Sequence, residues 1–177
     1  MTENGHRRID RIRDPAYLDG IRDLSLDELR AKRDECMAER EYLSLLRRLV
    51  QGRAEILKAE LEQRGSSADA APLVDRLADI LTADEHGRGP SRGEALRVGV
   101  PEEEMLLARR RVERLVADAG LSDPAALDDE KLALAVEALR AEERTVSDAR
   151  GEVMNVLDAV QDELKRRYKD DPTLALR

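Results

Sequence analysis

The sequence predicts an all-α fold, a long antiparallel two-helix coiled coil with additional short connecting helices. Charged residues make up 40% of the 177, aromatics 2%, and the chain has neither Trp nor Phe. Without large rings a thick, rounded core is hard to build. A chain rich in Ala, Glu, Arg and Leu with heptad-like spacing reads instead as long helices joined along a thin apolar seam. Two stretches, 25–64 and 128–168, hold that spacing, and the segment between them can reverse the chain. An antiparallel pair follows, each helix burying one stripe.

Residues 1–20, with Pro15 and Gly20, read as a flexible N-terminal tail, and 21–168 as the helical domain. Ser25 is placed to cap the first long helix, and Glu28 three residues later completes a capping box. Its seam reads as Leu29, Cys36, Leu43, Val50, Ala54, Leu57 and Leu61, with Arg40 and Arg47 interrupting it. Gly65–Ser66–Ser67 supplies the stop. Pro72 suits the first turn of a short helix from Leu73 to about Thr82. Residues 84–100, holding four Gly and one Pro, form a linker; the phosphate-loop pattern of glycines followed by Lys-Ser/Thr is not there. Pro101 opens a helix whose first turn is Glu102, Glu103 and Glu104, acids at the positive end of the dipole. That helix runs to about Ala119, with Leu106, Val112, Leu115 and Val116 on its apolar side, and Gly120 ends it. The second long helix starts near Asp128, and 169–177 form a C-terminal tail.

Composition also excludes functions. A formal net charge of −8 argues against direct DNA or RNA binding, which needs clustered, unopposed Lys and Arg. Cys36 is the lone cysteine, so neither an intrachain disulfide nor a Cys-based metal cluster can form, and His6 and His86 are isolated. A metal site is therefore not expected. Neither a membrane span nor a hydrophobic signal core is present in the sequence, which makes the expected location cytoplasmic. No catalytic triad, metal cluster or paired carboxylates on a rigid scaffold are evident, and an enzyme is not expected.

One polar pattern occurs twice. Arg40, Ser44, Arg47, Gln51 and Glu55 recur 103 positions later as Glu143, Ser147, Arg150, Met154 and Asp158. At about 100° per residue each set spans a wedge of roughly 80° on one helix face. That wedge is expected to be the apolar seam, yet it carries guanidinium and carboxylate. The same slide superposes Leu29 on Leu132, Leu43 on Val146, Val50 on Val153, Leu57 on Val160 and Leu61 on Leu164. Amphipathic helices match in this way readily, so Ser-x-x-Arg with an acid eight residues after the Arg is the discriminating part. In an antiparallel pair an approximate two-fold axis can bring the two copies opposite each other.

Two readings of the stripe stand side by side. In the first, Arg47 and Arg150 leave the seam or pair with Glu55, Asp158 or Glu143 and set register, because unpaired burial costs several kcal/mol per ion. In the second they bind a ligand. A guanidinium pairs with guanine O6 and N7 or with phosphate, and a carboxylate accepts from the guanine N1–H and N2 amine. Ser and Gln add adaptable donors and acceptors. Arg and acid on one face, duplicated on a second helix, suit guanine bases joined by phosphates.

At these residues the chain resembles the RsiG-type anti-sigma factors of actinobacteria, whose signature on each of two coiled-coil helices is Glu-x3-Ser-x2-Arg-x3-Gln-x3-Asp. The stretch from Glu41 to Arg53 reinforces the likeness, which extends over residues 24–168. The resemblance implies binding of cyclic di-GMP, as two intercalated molecules, between the helices. In that state the family sequesters a WhiG-type flagellar or sporulation sigma factor and blocks its use by RNA polymerase. Carried over by position, Arg47 and Arg150 would recognise guanine and phosphate and Glu55 and Asp158 the base edge. Ser44, Ser147, Gln51 and Glu143 would give support, with Arg40 a candidate phosphate contact. The chain departs from the signature at Arg40 in place of Glu, Glu55 in place of Asp and Met154 in place of Gln. The alternatives are a scaffold coiled coil without nucleotide and a coiled coil touching RNA polymerase directly.

Overall fold

The computed structural model describes residues 8–65, 101–118 and 128–176. Helix α1 (Arg8–Arg13) is followed by a 3-10 turn at Pro15–Leu18 and by α2 (Leu26–Gly65). Helix α3 (Glu102–Asp118), α4 (Asp129–Asp170) and a 3-10 turn at Pro172–Leu176 complete the order. All of these elements are helical, the all-α fold that the sequence predicts. The short helix expected at 73–82, the linker 84–100 and both histidines lie outside the described residues.

Both long helices start where their side chains satisfy the first orphan N–H groups. Ser25 Oγ accepts from Glu28 N at 3.2 Å, and Glu28 Oε2 accepts from Ser25 N at 2.7 Å, a complete capping box. Asp128 Oδ1 accepts from Lys131 N at 2.8 Å at the start of α4.

The apolar positions follow a strict seven-residue repeat. Leu29, Cys36, Leu43, Val50 and Leu57 on α2, and Leu132, Leu139, Val146, Val153 and Val160 on α4, are all buried. The two series coincide under the 103-residue slide. A spacing of seven is the coiled-coil signature, since it keeps one stripe of each helix on its partner. Leu46, which the sequence reading passes over, is fully buried, while Leu61 is half-exposed.

The chain divides into two packed units, one of residues 1–44 and 147–177, the other of 45–146. Each long helix gives a segment to each unit. In the first, Arg30 meets Tyr168 and Ser44 meets Arg150; in the second, Arg47 meets Glu143 and Arg64 meets Asp129. Numbers rise on one helix as they fall on the other, so the pair is antiparallel in both units.

Two segments read from sequence as tails are folded. Arg8 Nε donates to the buried Glu39 at 2.6 Å, Arg11 Nε to Glu35 at 3.0 Å, and Arg13 forms an ion pair with Glu152. The Tyr17 hydroxyl donates to Glu35 at 3.0 Å, and the Lys32 ammonium lies 3.8 Å over the Tyr17 ring. Ile12 is 1% exposed, so the segment 8–18 is a docked layer rather than a tail. At the other end Arg30 Nη2 donates to the Leu174 carbonyl at 3.0 Å, which ties the last turn to α2. Leu29, Val160 and Leu164 form the core there, with Leu18, Ile21, Leu24, Leu26 and Tyr168 packed on it. Low apolar content made these ends look like tails; a few apolar side chains, Ile12, Leu18 and Ile21 among them, dock them together with charged and polar contacts that hydropathy does not register.

Candidate functional site

The stripe is not the seam. Leu43, Leu46 and Val50 keep the seam apolar, and Arg40, Ser44 and Arg47 sit beside it, half-buried. On a helical wheel the centre of the stripe is roughly a quarter turn from the centre of the seam. The expectation that Arg40 and Arg47 interrupt the seam is therefore corrected. A guanidinium at the seam edge can rest its stem on apolar neighbours and keep its head near water, which removes the cost of burying it there.

In the first unit the stripe positions of both copies meet. Arg150 Nε donates to Ser44 Oγ at 3.0 Å. The Ser44 hydroxyl in turn donates to the Arg40 carbonyl at 2.7 Å, the one-turn back-bond open to a helical serine. The Arg40 guanidinium is held by Glu41 at 2.6 Å. Met154 is half-buried, while Ser147 and Asp158 are exposed.

In the second unit Arg47 Nη1 and Glu143 Oε1 are 3.4 Å apart. Their side chains are 27% and 28% exposed, so the pair is long and partly hydrated. Glu55 lies 3.8 Å from Lys58 on its own helix, and Gln51 is exposed. Each unit thus sets a stripe Arg of one long helix against a stripe residue of the other. The register pairing weighed from the sequence is realised for Arg47 and Glu143.

The duplication runs further than the stripe. Arg111 donates to Glu142 at 3.0 Å from Nε and 2.6 Å from Nη2, as Arg8 does to Glu39. Both the arginines and the glutamates are 103 positions apart. The signal was legible: Arg8-Ile9-Asp10-Arg11-Ile12 matches Arg111-Val112-Glu113-Arg114-Leu115 under the same slide. In each unit a short helix is thereby fastened one residue before the stripe, on Glu39 beside Arg40 and on Glu142 beside Glu143.

Among the described residues no group of three or more His, Cys, Asp and Glu side chains is placed to hold a metal, and no helix is long and apolar enough to cross a membrane. Cys36 is buried, and burial raises its thiol above the usual range. The chemistry on offer is that of a binding surface made of guanidinium, hydroxyl and carboxylate groups.

Fold and site together define a class, an antiparallel helix pair carrying one polar stripe twice. Residues 15–91 match the model of a family described as RsiG-like, so this part of the chain is similar to RsiG-type proteins. The match takes in α2 and the first copy of the stripe; the second copy lies beyond it and is related to the first by the internal repeat. No curated protein matches the chain.

Proposed function

We propose that this chain is a cytoplasmic anti-sigma factor, not an enzyme, that binds cyclic di-GMP along its duplicated stripe. In that state it would sequester a WhiG-type sigma factor and keep it from RNA polymerase. The observation that carries the reading is the meeting of stripe residues from both long helices, Arg150 with Ser44 and Arg47 with Glu143, in units built on the same repeat. A partly exposed ion pair contributes only about 0–1 kcal/mol. A ligand offering phosphate and guanine edges can therefore replace Glu143 on Arg47 at small cost, gaining charge-assisted bidentate contacts. The carboxylates of Glu55 and Asp158 would read the guanine N1–H and N2 amine. Two copies of the stripe suit two ligand molecules. The acidic chain, at net charge −8, suits a basic surface on the sigma factor.

A second reading is favoured by the Arg47–Glu143 pair itself: a scaffold coiled coil in which that pair sets register, without nucleotide. Calorimetry with cyclic di-GMP, cyclic di-AMP and GTP, with and without the sigma factor, separates the two. The proposal expects guanine-selective binding of cyclic di-GMP, lost in Arg47→Ala and Arg150→Ala while helicity is kept. Indifference to all three nucleotides with the sigma factor present would establish the scaffold.

A further inference from the structure

Helix α3, which lies within the second unit, has one side committed and one side open. Ala108 is 0% exposed and Arg111 pairs with Glu142, which turns that side inward. On the opposite side Glu103, Leu106, Leu107 and Arg110 are exposed, at spacings of three, four and seven that put them on one helix face. Leu106 and Leu107 are 45% and 55% exposed. With Leu134 they are the exposed large hydrophobic side chains among the described residues, and all three belong to the second unit. An exposed leucine alone says little. Around this pair, however, the charges are ordered.

Two acids precede the leucines and two arginines follow them, with Glu102 seven residues before Arg109 and Glu103 seven residues before Arg110. All four are exposed, and none of their side chains forms an ion pair among the described residues. Seven residues apart, acid and arginine lie beyond the three- and four-residue spacings at which side chains of one helix pair. A second α3 laid antiparallel removes that separation. With a two-fold axis at Leu106, each acid lies within about 1.5 Å, measured along the helix, of its arginine on the other copy. Leucine then packs on leucine between the two charged ends. A parallel arrangement would instead set acid against acid and arginine against arginine, which is unfavourable.

We infer that the open face of α3 is a self-association surface, on which a second copy of this chain docks antiparallel about a two-fold axis at Leu106. The contact uses the same patch on both copies, so it closes at two. A nucleic acid would meet the carboxylates of Glu102 and Glu103, and a partner segment of one sign would match only half of the face. The strip is about 10 Å wide and a few turns long, well short of the ~1,600 Å² that a standard interface buries. The dimer is therefore weak, driven by concentration, and loosened by salt, which screens exposed charges.

The test is sedimentation equilibrium of the full chain at low ionic strength, from about 1 μM to about 1 mM, the span of weak association. Wild type should rise with concentration from the mass of one chain to that of two and no further, and added salt should return it to one. Glu103→Arg and Arg110→Glu each set like charges opposite each other in a homodimer. Each should stay monomeric where wild type is half dimeric, with helix content unchanged by circular dichroism. Mixed in equal amounts, the two variants regain opposite charges at both contacts and should dimerise as wild type does. Wild type that stays monomeric across the range, or that assembles beyond two, overturns the inference. So do single variants that dimerise like wild type, or a mixture of them that stays monomeric.

Discussion

Arg150 and Ser44, 106 positions apart, are joined by a 3.0 Å hydrogen bond from the guanidinium Nε to the serine hydroxyl. The bond puts the second copy of the stripe on the first, within one packed unit. Its two residues are candidate ligand groups that hold each other when no ligand is bound. Such a contact sits on the flank of an apolar seam that holds the helices together without it. Ser44→Ala and Arg47→Ala are accordingly expected to change unfolding free energy by no more than about 1 kcal/mol. Urea denaturation followed by circular dichroism checks this; a larger loss would mean that the stripe is a structural element first.

The Arg8–Glu39 pair is a different case. Glu39 is 4% exposed, so removing its partner leaves a buried carboxylate with a weaker set of donors. Arg8→Ala should cost about 1.5–3 kcal/mol, the range for hydrogen bonds to charged groups. The corresponding Arg111→Ala should cost less, since Glu142 is 17% exposed against 5% for the Glu39 side chain. Comparing urea midpoints of the two variants measures the difference; equal losses would refute the burial argument.

Acid should loosen the end of the first unit. Glu163 is held down to about 2 from 4.5, first by hydrogen bonds from Arg166 and then by those from Arg167. Arg167 also donates to the Arg22 carbonyl at 2.9 Å, so the cluster fastens the segment before α2 onto α4. A carboxyl lowered on folding stabilises the native state above its unfolded pKa, and that contribution fades as the pH falls through the folded value. The window is therefore from about 4.5 down to about 2. Glu28, lowered by its own capping hydrogen bonds, adds in the same direction, and Asp128, lowered likewise, does so at the start of α4 in the second unit. Thermal melts across this range should show a shallower pH dependence in Glu163→Gln than in wild type, and parallel curves would contradict the assignment.

Cys36 is 0% exposed on the seam, and burial holds its thiol protonated. The thiolate is the reactive form. An aromatic disulfide reagent should therefore label the native chain slowly and the urea-unfolded chain at once. Rapid labelling of native protein would show that the 8–18 layer opens readily over this helix.

What the sequence determined by itself is local. Helical spacing, the Ser25–Glu28 capping box, the seven-residue repeat and each copy of the stripe are relations among residues a few positions apart, encoded by the 3.6-residue turn, and the doubling is a likeness of two such local patterns. The 103-residue slide could even have shown the second arginine–glutamate clamp, because its residues repeat in kind. Tertiary structure alone decided register. Whether Arg47 faces Glu143, and Arg150 faces Ser44, depends on which seam layers stack across an antiparallel pair, a contact between residues about a hundred positions apart. It also decided that the stripe flanks the seam instead of filling it, because Leu46, not Arg47, takes the buried position. Hydropathy ranks residues one at a time, while burial is settled by what the opposite helix presents.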